Sequence, residues 1–180
     1  MTPLALPCKL LLPDYDPSAT AESLSATQAL LEQGAACNVT FIGTIDCESL
    51  TGPECVRRSV HRLMDELMRG EAVPVSAHFK VSSQGVTLTD NTRKVFFRRH
   101  YPVNSVIFAG LDPSNERFDN TRMAGFQKGS VEHAKMFAFV ARKFDRAENS
   151  CHVFAELEQE QPATAVVNFI NKVMLAQRRP

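Results

Sequence analysis

The sequence predicts an α+β domain: an antiparallel sheet of about seven short strands that curls on itself, closed by a C-terminal helix and preceded by an extra helix. Three observations carry this. Between residues 37 and 157, apolar residues alternate at a period of two in a series of short runs separated by turn residues. Two other stretches space their apolar residues at three and four, the stripe of a helix docked on a core. The chain has 180 residues, 44% hydrophobic and 22% charged, enough for one domain whose core needs no staples.

The first 16 residues are proline-rich and read as an irregular arm, in which Leu10 to Leu12 could add a short edge strand. Asp16-Pro17 is an N-cap followed by proline at the first helical position. With Leu24, Leu30 and Leu31 as its stripe and Gly34 as its stop, a helix is predicted over 17–33. Residues 37–45 alternate, with Val39 and Phe41 on one side and Thr40 and Ile42 on the other. Thr51-Gly52-Pro53-Glu54 opens a helix whose stripe is Val56, Val60, Leu63, Met64 and Leu67, ended by Gly70. Strands are then expected at 77–81, 86–89, 94–100, 106–108, 135–143 and 151–157. The turns between them include Ser82-Ser83-Gln84-Gly85 and Asp90-Asn91, and Tyr101-Pro102 breaks the strand 94–100. The polar stretch 112–133 reads as a long loop. Gln161-Pro162 opens the closing helix, with Val166, Phe169, Ile170 and Val173 as its stripe. Seven strands and one amphipathic helix make a pleckstrin-homology-like barrel. The division expected is an arm and helix at 1–33, a domain at 34–176 and a tail at 177–180.

Catalytic equipment is missing from the sequence. There is no phosphate-cradling glycine loop, no His-Glu-x-x-His and no Gly-x-Ser-x-Gly. Cys8, Cys37, Cys47, Cys55 and Cys151 are scattered, with no Cys-x-x-Cys pair, so neither a disulfide framework nor a metal site is expected, and no cofactor. Cys151 and His152 are neighbours that point to opposite faces of a strand. No enzyme is expected. No run approaches the roughly 18 apolar residues that cross a bilayer. Met1 to Leu12 is apolar but interrupted by prolines and does not read as a signal peptide.

Charge is balanced overall but uneven along the chain: residues 1–55 carry a net −6 and the remainder +6. Between His78 and His100 lie Lys80, Arg93, Lys94, Arg98 and Arg99 against one acid, Asp90. On a strand 94–100, Phe97 and Arg99 would share one face and Phe96 and Arg98 the other. A guanidinium fork suits phosphate or carboxylate. The cluster is open to two readings: a phosphotyrosine or phosphoinositide site, or a solvated edge whose arginine stems cover apolar surface. No nucleic-acid-reading motif accompanies it. A strand at the mouth of a curled sheet keeps an edge that another strand can join. Phe169 and Val173 would then either wall that groove or belong wholly to the core.

Several longer stretches resemble one family. They are Gly34-Ala35-Ala36-Cys37-Asn38-Val39, Glu48-Ser49-Leu50-Thr51-Gly52-Pro53, His78-Phe79-Lys80-Val81-Ser82 and Gln84-Gly85-Val86-Thr87-Leu88-Thr89-Asp90-Asn91. Arg93 to Asn104, Phe139 to Lys143, Cys151 to Leu157, Gln161-Pro162-Ala163 and Val167-Asn168-Phe169 continue the match. Together they resemble the phosphotyrosine-binding (PTB) domain of the tensins over about residues 34–175. The resemblance implies a non-enzymatic, monomeric adaptor domain at the cytoplasmic side of focal adhesions, linking receptors to the cytoskeleton and signalling. It would bind Asn-Pro-x-Tyr motifs of β-integrin tails by β-augmentation. Its peptide site would be Ser105, Val106, Ile107, Phe108, Ala109 and Gly110 with Phe169, Ile170 and Val173. Arg98, Arg99 and His100 would face phosphate, and phosphoinositides would be a second ligand. The chain departs from the pattern at Glu116-Arg117-Phe118, where tensins carry a tryptophan, and in the loop 118–134. Those departures imply a divergent member or the shorter C-terminal tensin-like protein.

Overall fold

The computed structural model describes Ala29 and residues 33–178. Of the helix predicted over 17–33, Ala29 and Gln33 are described and are helical, and the rest lies outside the described residues, as does the arm. Eight strands follow: β1 (Ala35–Asp46), β2 (Val75–Ser82), β3 (Gly85–Asp90), β4 (Arg98–Pro102), β5 (Val106–Leu111), β6 (Arg117–Asp119), β7 (His133–Arg142) and β8 (Asn149–Glu156). Helix α1 (Pro53–Met68) joins β1 to β2, and α2 (Ala163–Arg178) follows β8. All strand pairs are antiparallel, in the order β4-β3-β2-β1-β8-β7-β5, with β6 paired to β7 off this path. The α+β barrel with its closing helix is the fold predicted.

Each sheet face has its own core. The concave face gathers Val39, Phe41, Phe79, Leu88, Phe137, Phe139 and Phe154 beneath α2, which supplies Val166, Phe169, Ile170 and Val173. The convex face of β1, β8 and β7 packs Ile42, Ile45, Val140 and Val153 against Val56, Val60 and Leu63 of α1. β8 lies between the two layers and is buried at every position. Two glycines permit close approaches. A Cβ on Gly43 would sit 2.6 Å from Leu63 Cδ2, so its absence lets α1 lie against β1. A Cβ on Gly85 (φ +135°) would sit 2.0 Å from the Tyr101 carbonyl, where the β2–β3 turn meets β4.

Three expectations need correcting. The strand predicted over 94–100 runs instead from Arg98 to Pro102, and Tyr101 continues it rather than breaking it. Asp90 is the reason. Its carboxylate accepts the Thr92 hydroxyl and the amides of Thr92, Val95 and Phe96, so the chain coils around one buried side chain before it can extend. Burial pushes the Asp90 carboxyl up, but those hydrogen bonds outweigh it and hold its pKa at about 2. Secondly, the stretch 112–133 contains β6 and a short 3-10 turn, Asn120–Arg122. Asn120 pins it: its buried side chain accepts from Thr40 Oγ1 at 2.8 Å and donates to the carbonyls of Val131 and Glu156 at 2.7 and 2.9 Å. Thirdly, Ser105 lies in a 3-10 turn, Val103–Ser105, and its hydroxyl donates to the Pro102 carbonyl at 2.6 Å, so β5 begins at Val106.

Candidate functional site: the open edge of β5 and the basic face of β4

β5 ends the sheet order, so β7 is its one sheet neighbour among the described residues. Which of its backbone groups are left outward follows from register. The Asp112 amide donates to the Met136 carbonyl of β7 at 2.9 Å. Gly110 and Phe108 lie opposite Ala138 and Val140, in phase with that pair, and turn their backbone groups toward β7. Ala109 and Leu111 are out of phase and turn theirs away. Asn171 of α2 confirms the direction, because its side-chain amide lies 3.5 Å from the Ala109 carbonyl.

The residues expected to line this groove divide by burial. Val106 and Ala109 belong to the concave core, while Ile107 and Phe108 are part-buried against the convex one, on either side of a register shift. Phe169, Ile170 and Val173 are 0–2% exposed and sit in the concave core. They fix where α2 lies but are not an exposed wall. The exposed positions of α2 include Thr164, Asn168, Asn171 and Lys172, and Asn171 reaches β5 at the Ala109 carbonyl. Sequence reading passed over Asn171 because nothing local marks an exposed asparagine as facing a strand edge.

The α2 N-terminus is positioned by a buried acid. Glu156, the last residue of β8, accepts the Ala163 amide at 2.8 Å and the Lys135 amide at 3.0 Å. One carboxylate thus ties the helix start to β7 and β8, and a negative group there also matches the helix dipole.

At the other end of the order, β4 separates the three residues expected to meet phosphate. Arg98 and His100 are exposed, whereas Arg99, opposite buried Leu88, turns inward. The face assignment therefore changes. Arg99 stacks on Phe96, 4.6 Å from the ring centroid, and Arg93 covers Phe97 at 5.3 Å. Register sets Lys80, Thr87 and His100 in one cross-strand row, and the Thr87 hydroxyl lies 2.8 Å from His100 Nδ1. Arg98 lies next to this row on the same outer face. Val95 and Phe97 stand out from the surface here, 42% and 66% exposed.

Inside the mouth, the Tyr101 ring meets Phe139 and His152 at 5.2 and 4.4 Å, so β4 curls over β7 and β8. His152 is buried, with Nδ1 2.8 Å from Thr44 Oγ1. Burial, with the Arg99 charge nearby, holds its pKa down at about 3. Cys151 faces the convex core instead, so the expected opposition of these neighbours holds. Among the described residues no helix is long and apolar enough to cross a membrane.

Comparison with known proteins gives the same frame. The family model described as "Phosphotyrosine-binding domain" matches residues 36–180. The tensin homolog of Caenorhabditis elegans is 67% identical over 99% of this chain, which corresponds to 13% of that protein. Tensin-1 of Gallus gallus is 50% identical over 96% of the chain and 10% of that protein. Tensin-4 of Homo sapiens is 32% identical over 95% of the chain and 23% of that protein. The chain therefore spans a small part of these relatives' lengths. In fold, it matches the solution structure of the C-terminal phosphotyrosine interaction domain of mouse APBB2 at a TM-score of 0.54 and 13% identity, covering 91% of this chain and 96% of that one. A barrel closed by α2, an open β5 edge beside it and these relatives agree: the chain belongs to the phosphotyrosine-binding domain family, an adaptor fold, and its relatives are tensins.

Proposed function

We propose that the chain captures an Asn-Pro-x-Tyr-type segment from the cytoplasmic tail of a partner, with a β-integrin tail as the first candidate, at the cytoplasmic side of focal adhesions. The segment adds as a strand to the free edge of β5. The observation that carries this is the pair of outward backbone positions, Ala109 and Leu111, beside Asn171 of α2. In this reading residues 105–110 frame the strand-pairing edge, and Phe169, Ile170 and Val173 hold the helix wall in place from behind. Arg98 and His100 meet a phosphate when the tyrosine carries one, and Arg99 supports them from the inner face. Titration of the labelled chain with one integrin-tail peptide, phosphorylated and not, is the test. Amides of Val106–Leu111 and of Thr164, Asn168 and Asn171 should shift with both peptides. Those of Arg98 and His100 should shift further with the phosphorylated one. A folded chain in which neither β5 nor α2 responds rules the groove out.

A second ligand is favoured by one feature. Val95 and Phe97 stand exposed among Arg93, Lys94 and Arg98, the combination that seats a loop on an anionic lipid surface. Vesicles containing phosphatidylserine and a phosphoinositide should retain the chain at low salt and release it as salt rises, and Phe97→Ser should weaken retention. Equal retention on neutral vesicles would remove this reading.

A further inference from the structure

β5 is not the sheet's one open edge. β4 stands at the other end of the strand order, and β3 is its one strand neighbour among the described residues. Register tells which of its backbone groups the ladder uses. The Asp90 amide donates to the Phe97 carbonyl at 3.2 Å, and the Val103 amide to the Gln84 carbonyl at 2.9 Å. Leu88 lies opposite Arg99 and Val86 opposite Tyr101, in phase with those two pairs, so Arg99 and Tyr101 turn their backbone groups toward β3. Arg98, His100 and Pro102 are out of phase and turn theirs away. Pro102 has no N–H, and its carbonyl accepts the Ser105 hydroxyl at 2.6 Å, which closes the edge at that end. Arg98 and His100 are left with an outward N–H and an outward carbonyl each, the alternation that a joining strand requires.

The side chains along this edge set the chemistry of what can join it. Cross-strand pairing puts His78, Thr89 and Arg98 in one row of the outer face, and Lys80, Thr87 and His100 in the next. Neither row holds an acid, and Arg98 and His100, the last in each, are exposed. Arg93 and Lys94 add two exposed cations in the turn before β4. A second copy of this chain would set like charges opposite one another, which disfavours the pair. An acidic strand does the reverse. One carboxylate falls beside the Arg98 guanidinium and another beside His100, each next in its row. Those two acids are two residues apart in the partner, because alternate residues share a face. The residue between them turns to the inner face, where Arg99 lies on the Phe96 ring and Tyr101 is part-buried, and an apolar side chain fits there.

We propose that β4 is a second docking edge, which takes an extended segment of a partner protein carrying an acidic, an apolar and an acidic residue in succession. The segment joins antiparallel, as every neighbour in this sheet does, and exchanges four main-chain hydrogen bonds with Arg98 and His100. The backbone groups it uses are not those of β5, so the site goes beyond the tyrosine-peptide groove and needs no tyrosine in its ligand.

The test titrates the isotopically labelled chain with the peptide Thr-Glu-Val-Glu-Thr, acetylated and amidated at its ends. Amides of Arg98 and His100 should shift, and those of Val106–Leu111 should not. The same peptide with lysine in place of both glutamates should not bind. N-methylation of the second glutamate removes a donor to β4 and should weaken binding roughly fivefold or more, the worth of one hydrogen bond. N-methylation of the valine, whose N–H points away from β4, should leave affinity within about twofold. His100→Pro removes an outward N–H and spares the β3 ladder, and should weaken binding by a similar factor of roughly five. Arg98→Glu should weaken it too. Circular dichroism checks that each variant folds. If His100→Pro does not fold, the N-methylated peptides decide the matter, since they leave the chain unchanged. No shift at Arg98 and His100, shifts confined to β5, equal binding of the lysine peptide, or equal loss from the two N-methylations each overturns the β4 edge.

Discussion

Buried titratable side chains show how a single residue ties this fold to its solvent. His152 sits in the barrel mouth with its pKa held at about 3, against an ordinary value of 6.5. Below pH 6.5 the unfolded chain binds a proton that the folded chain refuses, so stability falls as pH drops and is complete only above that value. The slope attributable to one such group is at most about 1.4 kcal/mol per pH unit. His78, lowered by burial as well, acts in the same direction. His152→Gln keeps a partner for Thr44 and removes the titration. Denaturant unfolding between pH 7 and pH 4.5 should therefore show a flatter pH dependence in this variant than in the parent chain. An identical slope would mean that His152 is not the group responsible. At this scale the sequence was partly readable. His152 alternates in phase with Phe154, which marks it as inward, but its partner Thr44 is 108 residues away and no local pattern names it.

Among the elements, β5 and β4 carry the functional argument, and both depend on register. Because Leu111 turns its N–H away from β7, proline there removes a donor that a docked peptide would use and leaves the β5–β7 ladder intact. Leu111→Pro should keep the fold but weaken peptide binding by about 1 kcal/mol, the worth of one hydrogen bond. Gly110→Pro removes a ladder bond instead and should lower the thermal midpoint. Comparing the two by calorimetry and by peptide titration separates edge from ladder, and equal peptide affinity in Leu111→Pro and the parent would refute the assigned direction. The period-two and period-3.6 patterns located β5 and α2 from sequence. They could not show that Asp90 delays β4. That delay shifts the strand from 94–100 to Arg98–Pro102 and sets Arg99 and Phe96 against one another. Phe96 lies before the strand begins, so strand alternation does not decide its company, and it meets Arg99 rather than Arg98.

Over the described residues, one sheet holds two cores, and α1 and α2 divide its faces between them. The open β5 edge lies beside α2, and the basic row lies on the outer face of β2, β3 and β4. The sequence by itself determined the count and kind of most elements, the barrel with its closing helix, the absence of known catalytic motifs and the family, because periodicity, turn chemistry and motif order are local properties of the chain. Only the tertiary structure decided that β5 is left open, that Phe169 is core and Asn171 faces the edge, and that Arg99 turns inward onto Phe96 while Arg98 and His100 face out. Each of these depends on pairing between residues far apart in sequence, and the register that sets them is fixed by packing two cores at once.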